Sequence, residues 1–182
     1  MAASFFEVVG TRSLKLWVPP AGDFLPAIVP IEDCLTRSDH ACVAIESVAA
    51  WPAGITLTVV VLLREDLAEG ESLPQVVRHP AHQEEVSDTS LLFGVVFADG
   101  TAATNVDRLE HDRRLTNGPT LNPGTSQAGK RSLRQQVHLQ PLPPDGPLTF
   151  VVRWLSRGIE ETTLRVDSGP FLSAATRARR IW

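Results

Sequence analysis

Tyrosine is missing from this chain altogether, and cysteine occurs only twice, at Cys34 and Cys42. Two cysteines cannot build a disulfide framework, so the fold has to rest on its core. Long hydrophobic runs are also lacking. Even the run Val59 to Leu63, which no other exceeds, is far short of the ~20 residues a membrane-spanning helix requires. Net basic charge is lacking too: 17 Lys and Arg against 21 Asp and Glu leave a formal charge of −4. Dedicated nucleic-acid and anionic-membrane proteins want a net basic face, so both classes are set aside. Met1 to Gly10 hold no basic residue, and Glu7 interrupts the segment after Phe5-Phe6, so no secretory signal is read there. These absences place the chain in the cytoplasm with both cysteines as thiols, although a pair eight positions apart is able to bridge in an exported protein.

What is present is ample apolar material. At 182 residues with 43% hydrophobic and 21% charged content, the chain buries roughly 70% of its unfolded surface and has no need of staples. Period-2 patterning marks strands near Ser13–Val18, Ala41–Ala49, Ile55–Arg64, Leu91–Ala98, Thr101–Val106, Ser132–Leu139, Leu148–Trp154 and Ile159–Val166, with a weaker one at Ala27–Ile31. Two of the links repeat a pattern: Trp51-Pro52-Ala53-Gly54-Ile55, and Trp154-Leu155-Ser156-Arg157-Gly158-Ile159. A short Gly-containing link between alternating segments predicts a β-hairpin each time. Asp99-Gly100 predicts a third. Leu91 to Ala98 is apolar on both faces, as in a strand covered from both sides, and Gly94 leaves room there for something to pack close. Leu133, Val137 and Leu139 oppose Arg134, Gln136 and His138, so one side of that strand meets water.

The predicted fold is all-β: an antiparallel β-sandwich of Ig-like layout, eight or nine strands in a single domain over 1–182, with one C-terminal helix over about 169–181. Ser168 is its expected cap, Pro170 sits in its first turn, and Phe171, Ala175, Ala178 and Trp182 make one apolar stripe. Prolines 141, 143, 144 and 147 make a rigid connector, and about 107–131 is read as a flexible Gly-containing loop. The connector Arg64–Asp88 carries seven acids and two bases, and Asp107–Arg134 six bases and three acids. The plain reading is two solvated loops; the sharper one is self-association through opposite charge.

No complete catalytic set emerges. Gly124 to Lys130 matches seven positions of the phosphate-cradling loop, but Arg131 stands where a hydroxyl is required, and the residues beyond alternate like a strand rather than opening a helix. Nucleotide binding there is a remote alternative. Ser126 lacks the spacing of a nucleophile elbow. Cys34, His40 and Cys42 are the weak candidates for a metal, because a strand projects residues 40 and 42 from one face. His79 and His82 near Glu84, Glu85 and Asp88 suggest a solvated acidic loop, while His111 and His138 have no partner in sequence. Glu160-Glu161, as strand neighbours, point to opposite faces and do not make an acid–base pair. Trp51 and Trp154 either bury against the sheet ends or form an exposed binding surface.

The stretch Gln140-Pro-Leu-Pro-Pro-Asp-Gly-Pro-Leu-Thr-Phe-Val-Val-Arg-Trp154, with Gly158-Ile-Glu-Glu-Thr162 and the ending Ala174-Ala-Thr-Arg-Ala178 to Ile181-Trp182, resembles a family of uncharacterised actinobacterial proteins, as do Leu92 to Asn105 and the Trp51 turn. The resemblance implies a similar sandwich with a variable loop near 107–131 and carries no activity. The functional expectation is a non-catalytic protein-interaction or structural module, without cofactor, whose partner is another protein or a second copy. The alternative is a small metal- or His-dependent hydrolase using Cys34, His40 and Cys42.

Overall fold

A computed structural model of the chain describes residues 4–6, 13–14, 19–20, 22–67, 69, 72–73, 87–106, 108–109 and 118–182. The strands are β1 (Ala27–Arg37), β2 (Ala41–Trp51), β3 (Gly54–Leu63), β4 (Leu92–Val96), β5 (Ala102–Thr104), β6 (Thr120–Ala128), β7 (Ser132–Gln140), β8 (Pro147–Trp154) and β9 (Ile159–Asp167), followed by helix α1 (Gly169–Thr176). They form two antiparallel sheets. Sheet A has five strands in the order β1-β2-β3-β7-β6, and sheet B four in the order β9-β8-β4-β5. The chain thus alternates between layers by hairpins, and the described residues build the expected antiparallel sandwich with a helix following its last strand.

Side-chain alternation explains the layering. Val43, Ile45, Leu57, Val59, Val61, Leu133 and Leu139 of sheet A face Phe93, Val95, Leu148, Phe150 and Val152 of sheet B in one core, with Phe93 and Phe150 stacked at 6.0 Å. Each expected hairpin is present. Trp51 pairs with Gly54 across the first turn, and Trp154 with Ile159 across the second. In that second turn Gly158 adopts φ 68°, a left-handed conformation that side chains with a Cβ disfavour.

The room at Gly94 is filled. A Cβ there would lie 2.5 Å from the Phe5 ring, and Phe6 joins Leu92, Val106 and Val151 in a second apolar cluster on the outer side of sheet B. β4 is therefore apolar on both faces because both are covered. Arg153 lies over the Phe6 ring and donates to Ser4 Oγ, which fixes this cover at its edge.

Four expectations need correction, and a fifth, the strand Ser13–Val18, falls partly outside the described residues. Part of the loop expected over 107–131 is strand β6, paired with β7 from Thr120 to Ala128; residues 107 and 110–117 lie outside the described residues. β1 runs well past Ile31, since two register shifts let it continue beyond Pro30. Of the expected strand Ser13–Val18, Ser13–Leu14 is described, bridging in parallel to Arg108–Leu109, and 15–18 lie outside. The helix stops at Thr176 rather than near 181, because Arg179–Arg180 bridges to Phe24–Leu25 and Ile181 N donates to Asp23 O. Phe171, Ala174 and Ala175 dock α1 against β1 and β2, whereas Trp182 is 82% exposed. The Ser168 hydroxyl does not cap the helix; it donates to Pro144 O and ties α1 to the proline connector. No helix among the described residues is long and apolar enough to cross a membrane.

Candidate interaction surface

The residues nominated by the sequence are distributed over the sandwich rather than gathered. Cys34 and Cys42 do meet, on neighbouring strands, as free thiols with Sγ atoms 3.4 Å apart. Burial, and then the hydrogen bond and charge of Cys34, push the Cys42 thiol up to about 11. A thiol held that high is a poor nucleophile and a poor metal ligand at neutral pH. His40 does not join them: β2 begins at Ala41, so His40 sits in the turn, where its backbone N–H donates to Ser38 Oγ. The one-face argument that grouped residues 40 and 42 fails for that reason. Among the described residues no cluster of three or more His, Cys, Asp or Glu is arranged to hold a cation. His79, His82, Glu84, Glu85 and His111 lie outside the described residues.

Trp51 and Trp154 are buried, which removes them as an exposed binding surface. The Trp154 indole N–H donates to Thr89 O, satisfying the one polar atom the ring carries into the interior. Trp51 begins a polar row at one end of the outer side of sheet A. Its Nε1–H donates to Thr56 Oγ1 at 3.0 Å, and the Thr56 hydroxyl faces His138 Nδ1 at 3.0 Å. The Thr56 hydroxyl has two acceptor lone pairs and one proton, so it joins the indole to the imidazole with either His138 tautomer. Burial holds His138 below its ordinary pKa. Asn122, opposite His138 in the register, is fully buried, and its Oδ1 has no hydrogen-bond partner among the described residues. Gly124 lies against the ring, where a Cβ would collide with Nε2. The row is largely buried, and its hydrogen bonds tie the ends of β2, β3 and β7 together.

Gly124–Lys130 turns out to be the end of β6 and the β6–β7 turn, where Gly129 N donates to Ser132 O. No helix N-terminus follows to receive a phosphate. Arg131 instead reaches across to the acidic connector, lying 3.6 Å from Asp66 and donating to Arg64 O. At this point the opposite charges of the two connectors meet within one chain.

What the sandwich does offer is edges. Sheet A ends in β1 and β6, sheet B in β5 and β9. Unpaired edge backbone invites another strand, and proteins normally interrupt it. β1 carries Pro30 and two register shifts, β6 carries Pro123 and one, and β5 is three residues long. β9 differs. From Thr162 to Asp167 it pairs residue for residue with β8, from Val152 to Pro147, without proline, glycine or bulge. Its one irregularity comes earlier, where Glu160 and Glu161 stand against Arg153 alone; that bulge leaves both carboxylates exposed, not on strictly alternating faces. Leu164 and Val166 pack on the core and remain half-buried, while Thr163, Arg165 and Asp167 are exposed. Glu161 accepts hydrogen bonds from Ser4 Oγ and Phe5 N, which holds it on the outer side of sheet B. Among the described residues β8 is the only strand partner of β9. The sequence displays the alternation of β9, but not its place at the edge, because strand order is a tertiary property.

No family model, no curated protein and no solved structure matches this chain.

Proposed function

We propose that the protein is a non-catalytic interaction module, a sandwich of Ig-like layout that binds an extended polypeptide along β9. The observation that carries this reading is the uninterrupted edge from Thr162 to Asp167, in a molecule whose other three edges are short, bulged or proline-bearing. Strand addition draws affinity from main-chain hydrogen bonds, and alternate side chains supply specificity. Trp51 and Trp154 are buried, so the reading rests on the backbone edge of β9 and not on exposed aromatic side chains. Cytoplasmic placement and kinship with the actinobacterial proteins belong to the same proposal; two thiols in contact persist as thiols where the medium is reducing.

The test is affinity capture from the source cell with tagged protein, set beside Thr163→Lys, which puts a charge on the edge without touching the core. A polypeptide retained in stoichiometric amount by the wild type and lost with the variant, both folded by circular dichroism, supports the reading. Equal retention by both places the interface elsewhere. Turnover of a small substrate by the purified protein overturns it.

A further inference from the structure

β9 carries its own complement. Two copies related by a two-fold axis perpendicular to sheet B pair their β9 strands antiparallel and keep the same faces outward. Directly opposed residues must then share a face, so a register centred between two residues is excluded. The outward set from the bulge onward is Glu161, Thr163, Arg165 and Asp167, the inward set Thr162, Leu164 and Val166. Centring on Leu164 sets Glu161 against Asp167, and centring on Arg165 sets that arginine against itself; both are repulsive. Centring on Thr162 pairs Glu161 with Thr163, and centring on Val166 sets Arg165 against Asp167 but engages only the last three residues of the strand. Centring on Thr163 sets Glu161 against Arg165 twice, threonine against threonine, and Thr162 against Leu164. Opposite charges directly across a strand pair stabilise it, and like charges destabilise it.

We propose that β9 joins the same strand of a second copy about Thr163, so that the two four-stranded sheets become one continuous sheet across the dimer. The proposal rests on the edge reading above and names its partner. A two-fold interface is self-complementary by nature, each contact occurring twice. This segment meets that condition by its charge order, with Glu161 already held on the outward side by Ser4 and Phe5. The Glu160–Glu161 bulge and the end of the strand at Asp167 limit the pairing to the regular stretch between them.

The experiment is a charge swap read by sedimentation velocity over a wide concentration range. Arg165→Glu places glutamate against Glu161 in both contacts, and Glu161→Arg places arginine against Arg165. Each variant alone loses self-association by roughly tenfold or more, and an equimolar mixture restores it, because every cross-strand pair is then opposite in sign. Wild type that stays monomeric at millimolar concentration overturns the proposal, and so do dimers indifferent to either substitution or a mixture that fails to rescue. Should a variant fail to fold, hydrogen exchange on the wild type decides: amides from Thr162 to Val166 slowing as concentration rises support the pairing, and unchanged exchange there sinks it. A monomeric wild type that still captures a polypeptide through Thr163 removes the self-pairing and leaves the interaction module standing.

Discussion

The outer sides of the two sheets solve the same problem in opposite ways. Sheet B turns Leu92 and Val151 outward, and these meet Phe6 and Val106 in a sealed cluster under the N-terminal segment. Sheet A turns outward a mixed set with no sealed apolar cluster: Ala44, Thr58 and Val60 are half-buried, and Leu62 is 47% exposed. Arg134 on β7 reaches over β3 to grip Glu46 on β2, with Nη2 2.8 Å from Oε1 and Nε also donating to the carboxylate. The arginine beside Glu46 holds its carboxyl below the usual range. An outward apolar row requires a cover drawn from elsewhere in the chain, whereas an alternating strand dresses its own outer side with charge. β4, apolar at every position, and β7, whose outward positions are Arg134, Gln136 and His138, carry that difference in their composition.

Substitutions on the two sides should separate accordingly. Phe6→Ala strips the cover from sheet B and should lower stability by about 3 kcal/mol, the ordinary loss for a buried phenylalanine, measured as a shift of the urea midpoint. A change under about 0.5 kcal/mol would mean that the cover contributes nothing and the two sides are equivalent. Next in size is Thr56→Val in the polar row of sheet A. It leaves the buried Trp51 N–H and His138 Nδ1 without their shared partner and should cost about 1–3 kcal/mol; a neutral result would break the relay deduced from the geometry.

The same row predicts an acid response. The folded chain holds His138 below its ordinary pKa, so the unfolded chain binds the proton more readily. The stabilising contribution is complete above about pH 6.5 and is lost as pH falls below it. Urea midpoints should decline between about pH 7.5 and 5.5, and His138→Gln should flatten that decline; an unchanged slope would clear the histidine of any part in it. The smallest effects belong to the open side. Leu62→Ala should stay within about 0.5 kcal/mol. Glu46→Gln should shift the midpoint slightly, with the shift vanishing in high salt, because exposed ion pairs are screened. That contribution is present above the normal carboxylate pKa and fades as pH falls through the depressed value. A large, salt-independent loss would show the pair to be a principal strut.

Much of this architecture is legible in the residues themselves. The Trp51 and Trp154 turns, the Asp99-Gly100 hairpin and the doubly apolar β4 follow from local pattern alone. β6 does not, since Pro123, Gly124 and Gly129 read as loop until β7 supplies a partner. β1 is cut short by Pro30 and Asp33, which a strand tolerates only through the bulges formed against β2. The helix end is misjudged because Arg179–Arg180 is captured by Phe24–Leu25, a long-range contact that no local stripe reveals. The candidate interface is half visible: Glu161, Thr163 and Arg165 announce an outward face, but nothing local shows that β9 lies at the margin.

The order of strands also dictates the order of assembly. β3 waits for β7 and β4 waits for β8, so each layer is built from hairpins separated by a visit to the other. On the ribosome, β4 and β5 emerge as a short greasy ribbon whose main neighbour is not yet made. Non-local pairing of this kind is slow and leaves nascent chains prone to clumping. Translation that halts before β8 should therefore release an insoluble fragment, and synthesis through Asp167 marks the earliest moment at which both layers can shut.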